Sequence, residues 1–255
     1  VMFSVLGTQI LWYVTRSSGL LALLMLSATV ALGVSSAQKA KIREVPRVYF
    51  ADLHRSLALF ALVLLSVHIF TAIVDPFTHL GWTTAFDPFK RSYRPLYLGL
   101  GITAFDIVVA IVATSLLRKH LSNRLWKAIH LGSYLVWFLA MVHGLGTGTD
   151  SHFRFALFVY GLSLGIVAVG LWIRILSAKP KALVLRFVAY ALIALAPFTL
   201  VLWGLSGPAK AGWSKRFSLP QTTIRTKSTQ VHGSSNSSSL APPTTEIYSD
   251  DGTSQ

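Results

Sequence analysis

Six stretches of this chain are long and apolar enough to cross a lipid bilayer, and they constrain its fold more than any other feature. A helix that spans the hydrocarbon core needs about 20 predominantly apolar residues. The stretches cover about residues 10–36, 53–74, 96–117, 125–145, 155–176 and 182–205. Inside lipid every backbone N–H and C=O must be bonded within the protein, and a helix of this length does so by itself. The spacing therefore predicts an all-α, polytopic six-helix membrane bundle over residues 1–206, with short loops between antiparallel neighbours. Composition agrees, because a soluble domain seldom combines 53% hydrophobic with only 13% charged residues.

The net charge of +14 could suggest a nucleic-acid partner. The positions of the basic residues argue for a membrane instead. Lys39, Lys41, Arg43, Arg47 and Arg55 lie around the first connection; Arg118, Lys119, Arg124 and Lys127 around the third; Arg174, Lys179, Lys181 and Arg186 around the fifth. The second and fourth connections are poorer, with Lys90, Arg91 and Arg94 in one and Arg154 in the other. The excess of Lys and Arg in cytoplasmic loops predicts that the three rich loops face the cytoplasm and both termini lie outside. A multi-pass protein of the plasma membrane, the bacterial inner membrane, is the expected setting.

The first apolar run ends in Ser35-Ser36-Ala37, which has the character of a signal cleavage site, but no basic region precedes it and basic residues follow it. It reads as a retained first helix. Residues 207–255 form a polar tail, and its Ser/Thr-rich part from 221 onward is expected to be disordered. The longest connection, 75–95, is expected to form an extracytoplasmic cap.

Four of the eight histidines stand in two pairs within the apolar stretches: His54 and His68 in the second, His130 and His143 in the fourth. An imidazole in a membrane segment is costly and marks function. Spans two and four run parallel, so His54 and His130 share one depth and His68 and His143 the other. A 14-residue separation corresponds to about 21 Å of helix rise. That layout suits two haems stacked along the membrane normal, each held between two helices by two axial histidines. With no cysteine in the chain, thioether attachment is impossible here, and such haems are of the b type.

Angular spacing strains the picture at one place. At about 100° per residue, His54 and His68 differ by about 40° and share a face. His130 and His143, 13 apart, differ by about 140°, so the reading expects irregular backbone near Gly132 and Ser133, or a tilted haem plane. Arg16, Arg55 and Lys127 are candidate partners for the haem carboxylates, with Arg124 near His130 as well. Ser56, Ser66, Ala128, Gly132, Ala140 and Gly144 are small residues that would let a flat macrocycle approach. His120 and His232 read as solvated, His79 and His152 as extracytoplasmic surface residues. Asp52, Asp75 and Asp106 read as local caps or partners, with proton transfer through Asp106 a minor alternative.

With its histidines 14 apart on one helix and 13 apart on another, the chain resembles the ferric reductase-like transmembrane domain, the membrane part of ferric reductases and NADPH oxidases. The opening WYVTRSSGLLALLMLSATVALG, with Arg16 and Gly19, is similar to that of bacterial members. The resemblance covers about residues 11–205. It implies transmembrane electron transfer through two b haems to an extracytoplasmic acceptor such as a metal, oxygen or a flavoprotein. Full reductases carry an FAD- and NADPH-binding module after the sixth helix. This sequence has no glycine-rich dinucleotide fingerprint, so FAD and NAD(P)H are not expected on it. A separate flavoprotein or quinol is the implied redox partner, as in stand-alone bacterial members.

Two other readings stay open on the residues alone. A non-redox transporter or a proton or metal channel could use the same histidines. A quinol-linked diheme cytochrome b of another family would also carry paired histidines.

Overall fold

The computed structural model describes residues 2–37, 47–75, 94–148, 153–177, 195, 197–210 and 212–213. The chain divides into two units at Leu219–Pro220, and the second, Pro220–Gln255, lies outside the described residues. The connection 76–93 and most of the segment between 178 and 196 also lie outside them, together with His79, His152 and His232.

Secondary structure among the described residues is entirely helical. The helices are α1 (Met2–Ala37), α2 (Arg47–Val74), α3 (Pro95–Leu116), α4 (Asn123–Thr147) and α5 (Arg154–Ser177), followed by a shorter apolar helix, α6 (Pro197–Ser206). The first five are long and apolar enough to cross a membrane. They coincide with the first five predicted stretches, and α6 is the described part of the sixth.

Local chemistry fixes the α3–α4 hairpin. Pro95 opens α3 at its first turn, where a missing N–H costs nothing. A single 3₁₀ turn, Arg118–His120, ends the run. Ser122 then caps α4, its hydroxyl accepting from the Leu125 N–H at 3.2 Å.

Packing is organised around α1, which lies against α2, α4 and α5, while α3 packs on α4. A buried cluster of Leu23 and Val30 (α1), Trp137, Met141 and Leu145 (α4), Val167 (α5) and Leu200 (α6) forms the core. Within it, the Trp137 indole donates to the Ser27 hydroxyl at 2.9 Å, and Ser27 donates to the Leu23 carbonyl at 2.7 Å. Other hydroxyls are likewise returned to their own helix: Ser18 to Val14 O at 2.6 Å and Thr147 to His143 O at 2.7 Å. That habit suits lipid, where no water satisfies a side chain. Meanwhile Leu59, Phe60, Val63 and Phe70 on α2, and Phe155 and Phe158 on α5, are exposed. Helices apolar on their outward as well as inward faces are those solvated by hydrocarbon.

The first residues of the tail fold back on the bundle. Arg94, read from sequence only as a loop charge, is buried and adopts a left-handed backbone conformation at φ 49°. Its guanidinium donates to Gly146 O and, at 3.2 Å, to Trp213 O. The Trp213 indole N–H also donates to Gly146 O at 3.2 Å. Trp213 and Trp203 both lie beside Tyr97, with ring centroids 6.2 and 5.9 Å away. The C-terminal end of α6 and the residues just after it therefore meet the start of α3 and the end of α4.

Candidate functional site

Because α2 packs on α1 and α4 on α3, a space opens between α2 and α4. It is a cavity of about 1460 Å³, and His54, His68, His130 and His143 all line it, as do Arg16, Arg55 and Lys127. The histidines meet in two pairs. His54 faces His130 with ring centroids 6.1 Å apart, and His68 faces His143 with centroids 6.2 Å apart.

The distances have a chemical meaning. A ring nitrogen sits about 1.1 Å from its ring centre and a metal–imidazole bond is about 2.0–2.1 Å, so two imidazoles in line on one ion place their centroids about 6.3 Å apart. Both pairs stand at that separation. Among the described residues no group of three or more His, Cys, Asp or Glu side chains gathers to hold a metal. Each pair thus offers two ligands, short of the four a bare zinc ion takes from protein.

Three of the four rings are oriented by main-chain carbonyls. The Nδ1 of His54 bonds Thr29 O at 3.0 Å, that of His68 bonds Thr15 O at 2.8 Å, and that of His143 bonds Tyr97 O at 2.8 Å. A carbonyl only accepts, so Nδ1 carries the proton and Nε2 keeps its lone pair. Metal-binding histidines are oriented in this way, which also raises their basicity.

Glycine makes the approach possible. Each accepting carbonyl belongs to a residue four positions before a glycine on α1 or α3: Thr15 and Gly19, Thr29 and Gly33, Tyr97 and Gly101. A methyl group on Gly19 would lie 2.8 Å from His68 Nδ1, on Gly33 3.3 Å from His54 Cε1, and on Gly101 2.4 Å from His143 Nδ1. The sequence reading missed these carbonyls and two of these glycines. The signal was present: Thr-x-x-x-Gly occurs twice on α1, 14 residues apart, in step with His54 and His68.

The small residues named from sequence behave differently. Ala140 and Gly144 line the cavity, whereas Ser56, Ser66, Ala128 and Gly132 do not. A methyl on Gly132 would meet Ile107 on α3, so that glycine serves helix packing. Nor does irregular backbone occur near Gly132 and Ser133, since α4 is continuous from Asn123 to Thr147. Despite the 13-residue spacing, His130 on this unbroken helix still faces His54, but unlike the other three rings it is not held by a carbonyl. Its Nδ1 is buried without a hydrogen-bond partner.

Charge completes the site. Arg16, which follows Thr15 and lies over Trp12 at 5.7 Å, is at the His68/His143 end. Arg55, Lys127 and Arg118 are at the other. Among the described residues Asp75 is the one acid in the lining, so the cavity favours a ligand with anionic groups at its edges. Asp52, Asp106 and His120 are exposed and outside the cavity.

Fold and site together define a polytopic helical membrane protein with facing histidine pairs at two depths. Residues 18–141 match the family model described as "Ferric reductase like transmembrane component". Over that stretch the chain is similar to this family, and the matched region includes His54, His68 and His130, ending two residues before His143. Comparison with curated proteins and with solved structures gives no match.

Proposed function

We propose that this protein carries electrons across the membrane through two b-type haems, one between His54 and His130 and one between His68 and His143. The observation that carries the reading is the pair of facing imidazoles, each at the separation that in-line ligation of one ion requires, three of them with Nδ1 committed to a backbone carbonyl. A tetrapyrrole brings four equatorial nitrogens and needs two more ligands, which is what each pair supplies. The cavity exceeds the roughly 300–1,000 Å³ of a single small-molecule pocket, in keeping with two macrocycles. Arg16 at one end, and Arg55 and Lys127 at the other, are suited to the haem carboxylates.

Bound there, each haem supplies a one-electron couple. The chain's own residues do the rest. The paired imidazoles would hold each haem from both sides and leave the acceptor to be reduced at the protein surface. The apolar walls keep water and protons from the path. The exposed Arg118, Lys119, Arg124 and Lys127 support a cytoplasmic setting for the His54/His130 end. Electrons enter there from a separate flavoprotein or a quinol and leave from the His68/His143 end to an extracytoplasmic metal, oxygen or flavoprotein. The family match supports electron transfer as the general role.

The test is the visible spectrum of the purified protein, oxidised and dithionite-reduced, with haem quantified per chain. Two b haems are expected, falling to one in His68→Ala and in His143→Ala. A colourless protein after haem-supplemented expression, or variants that keep the full complement, would overturn the reading in favour of a proton or metal channel.

A further inference from the structure

The two histidine pairs are not equivalent, and the difference lies in what orients one ring. His54, His68 and His143 are each held by a carbonyl at 2.8 to 3.0 Å. His130 has no such partner, although its Nδ1 is buried. Register explains the exception. On α3, Tyr97 and Gly101 serve His143, and the positions 14 residues on are Ile111 and Ser115. His130, however, lies 13 residues from His143, about 100° away from a matching 14-residue step. Serine also stands where the other three rings meet glycine.

Another contact takes the place of the missing bond. One turn earlier on α4, the Trp126 indole lies face to face with the His130 ring, centroids 4.9 Å apart and planes inclined by 21°. The Arg118 guanidinium lies over the same indole at 4.3 Å from its centroid. Offset stacking of this kind restricts ring rotation, and the cation over the indole holds the indole itself in place. The indole N–H is buried and has no acceptor, so the contact of Trp126 with His130 is through its face.

We propose that Trp126 is the positioning residue for His130, its ring face doing for this imidazole what a backbone carbonyl does for the other three. The proposal rests on the diheme reading. It has an electronic consequence. An Nδ1–H bonded to a carbonyl makes imidazole a stronger donor, and His130 lacks that bond. The His54/His130 haem is therefore the more weakly ligated of the two, and a weaker donor favours the reduced iron. Its midpoint potential lies above the value that a fourth carbonyl would give it.

The experiment compares wild type, Trp126→Phe and Trp126→Leu as purified full-length protein. Phenylalanine keeps an aromatic face without an N–H; leucine keeps apolar bulk without a face. Ferric electron paramagnetic resonance and a potentiometric titration read the two haems separately, with His68→Ala as the background that isolates the His54/His130 site. In Trp126→Leu, the low-spin signal of that haem is expected to give way to a high-spin component. Its reduction equilibrium should rise at least tenfold, about 59 mV for one electron, and the reduced haem should bind carbon monoxide. Trp126→Phe should keep the wild-type signals, and the His68/His143 haem should be unchanged in both. If phenylalanine and leucine alter the His54/His130 haem alike, or neither alters it, the ring face does not position His130 and the proposal fails. A wild-type chain that binds no haem would instead overturn the reading beneath it.

Discussion

Replacing Gly101 by alanine asks how closely the histidines are fitted to the neighbouring helices. The added methyl would lie 2.4 Å from Nδ1, 2.6 Å from Cε1 and 2.8 Å from Cγ of His143. No Cβ tolerates such contacts, so the ring must swing away and abandon its 2.8 Å bond to Tyr97 O. Overpacking of this kind costs about 1–3 kcal/mol, and the lost hydrogen bond about 1 kcal/mol. Because the ring can move when no ligand holds it, the penalty falls on the bound state. A loss of about 2–4 kcal/mol corresponds to roughly 30- to 1,000-fold weaker haem binding at the His68/His143 site. Helix propensity works the other way, alanine gaining up to about 1 kcal/mol over glycine, so the unliganded fold should melt no lower than wild type. The same change at Gly33 places the methyl 3.3 Å from His54 Cε1 and 3.6 Å from Nδ1, and should leave both haems in place. Gly19→Ala, at 2.8 and 3.0 Å from His68, falls between. Haem content per chain and thermal melts in detergent measure the series. Full haem retention by Gly101→Ala, or equal losses from Gly101→Ala and Gly33→Ala, would refute the steric argument.

Three further expectations concern the fold. Ser27→Ala leaves the buried Trp137 N–H without its acceptor and should cost about 1–3 kcal/mol, whereas adding Trp137→Phe should recover part of the loss; a double-mutant cycle of denaturation midpoints reads the coupling. Arg94→Ala removes the donor to Gly146 O and Trp213 O and should cost about 3 kcal/mol, as hydrogen bonds from charged groups do, with Arg94→Lys failing to rescue because an ammonium lacks the planar fork. Limited proteolysis between residues 207 and 213, slow in wild type and fast in both variants, would report the released tail. Ser122→Ala removes the α4 cap and should cost about 1 kcal/mol; an unchanged melting curve would mean that the hairpin, and not the cap, holds the start of α4.

Much of the architecture was legible because lipid imposes its conditions on residue identity. Five apolar stretches became five spanning helices, and imidazoles too costly for hydrocarbon became facing pairs at two depths. The pairing of His54 with His130 and of His68 with His143 followed from the direction of the helices alone. What escaped the sequence was the orientation of the rings, because the acceptors at Thr15, Thr29 and Tyr97 are main-chain atoms that every residue possesses. The 140° discrepancy between His130 and His143 calls, on sequence alone, for irregular backbone near Gly132 and Ser133 or for a tilted haem plane. The helix is continuous and both rings still reach their partners, since imidazoles rotate far more cheaply than a hydrogen-bonded helix bends. Arg94 passed as an ordinary loop charge because burial depends on the return of residue 213, more than a hundred positions away, which periodicity does not reveal.

The anchoring of three imidazoles by peptide oxygens has a genetic consequence. A side-chain acceptor can be lost through a single codon change; a peptide oxygen cannot. Substitutions at positions 15, 29 and 97 leave the acceptor where it was, so this bond by itself places no demand on the side chains there, whatever the Tyr97 ring owes to Trp203 and Trp213 or the Thr15 hydroxyl to Thr71. The evolutionary constraint is displaced by one helical turn, onto glycines 19, 33 and 101, whose only contribution is the room they leave. In related chains the support of these ligands should therefore be recognisable as a rhythm of glycines, more than as a fixed identity of the residues that supply the bonds.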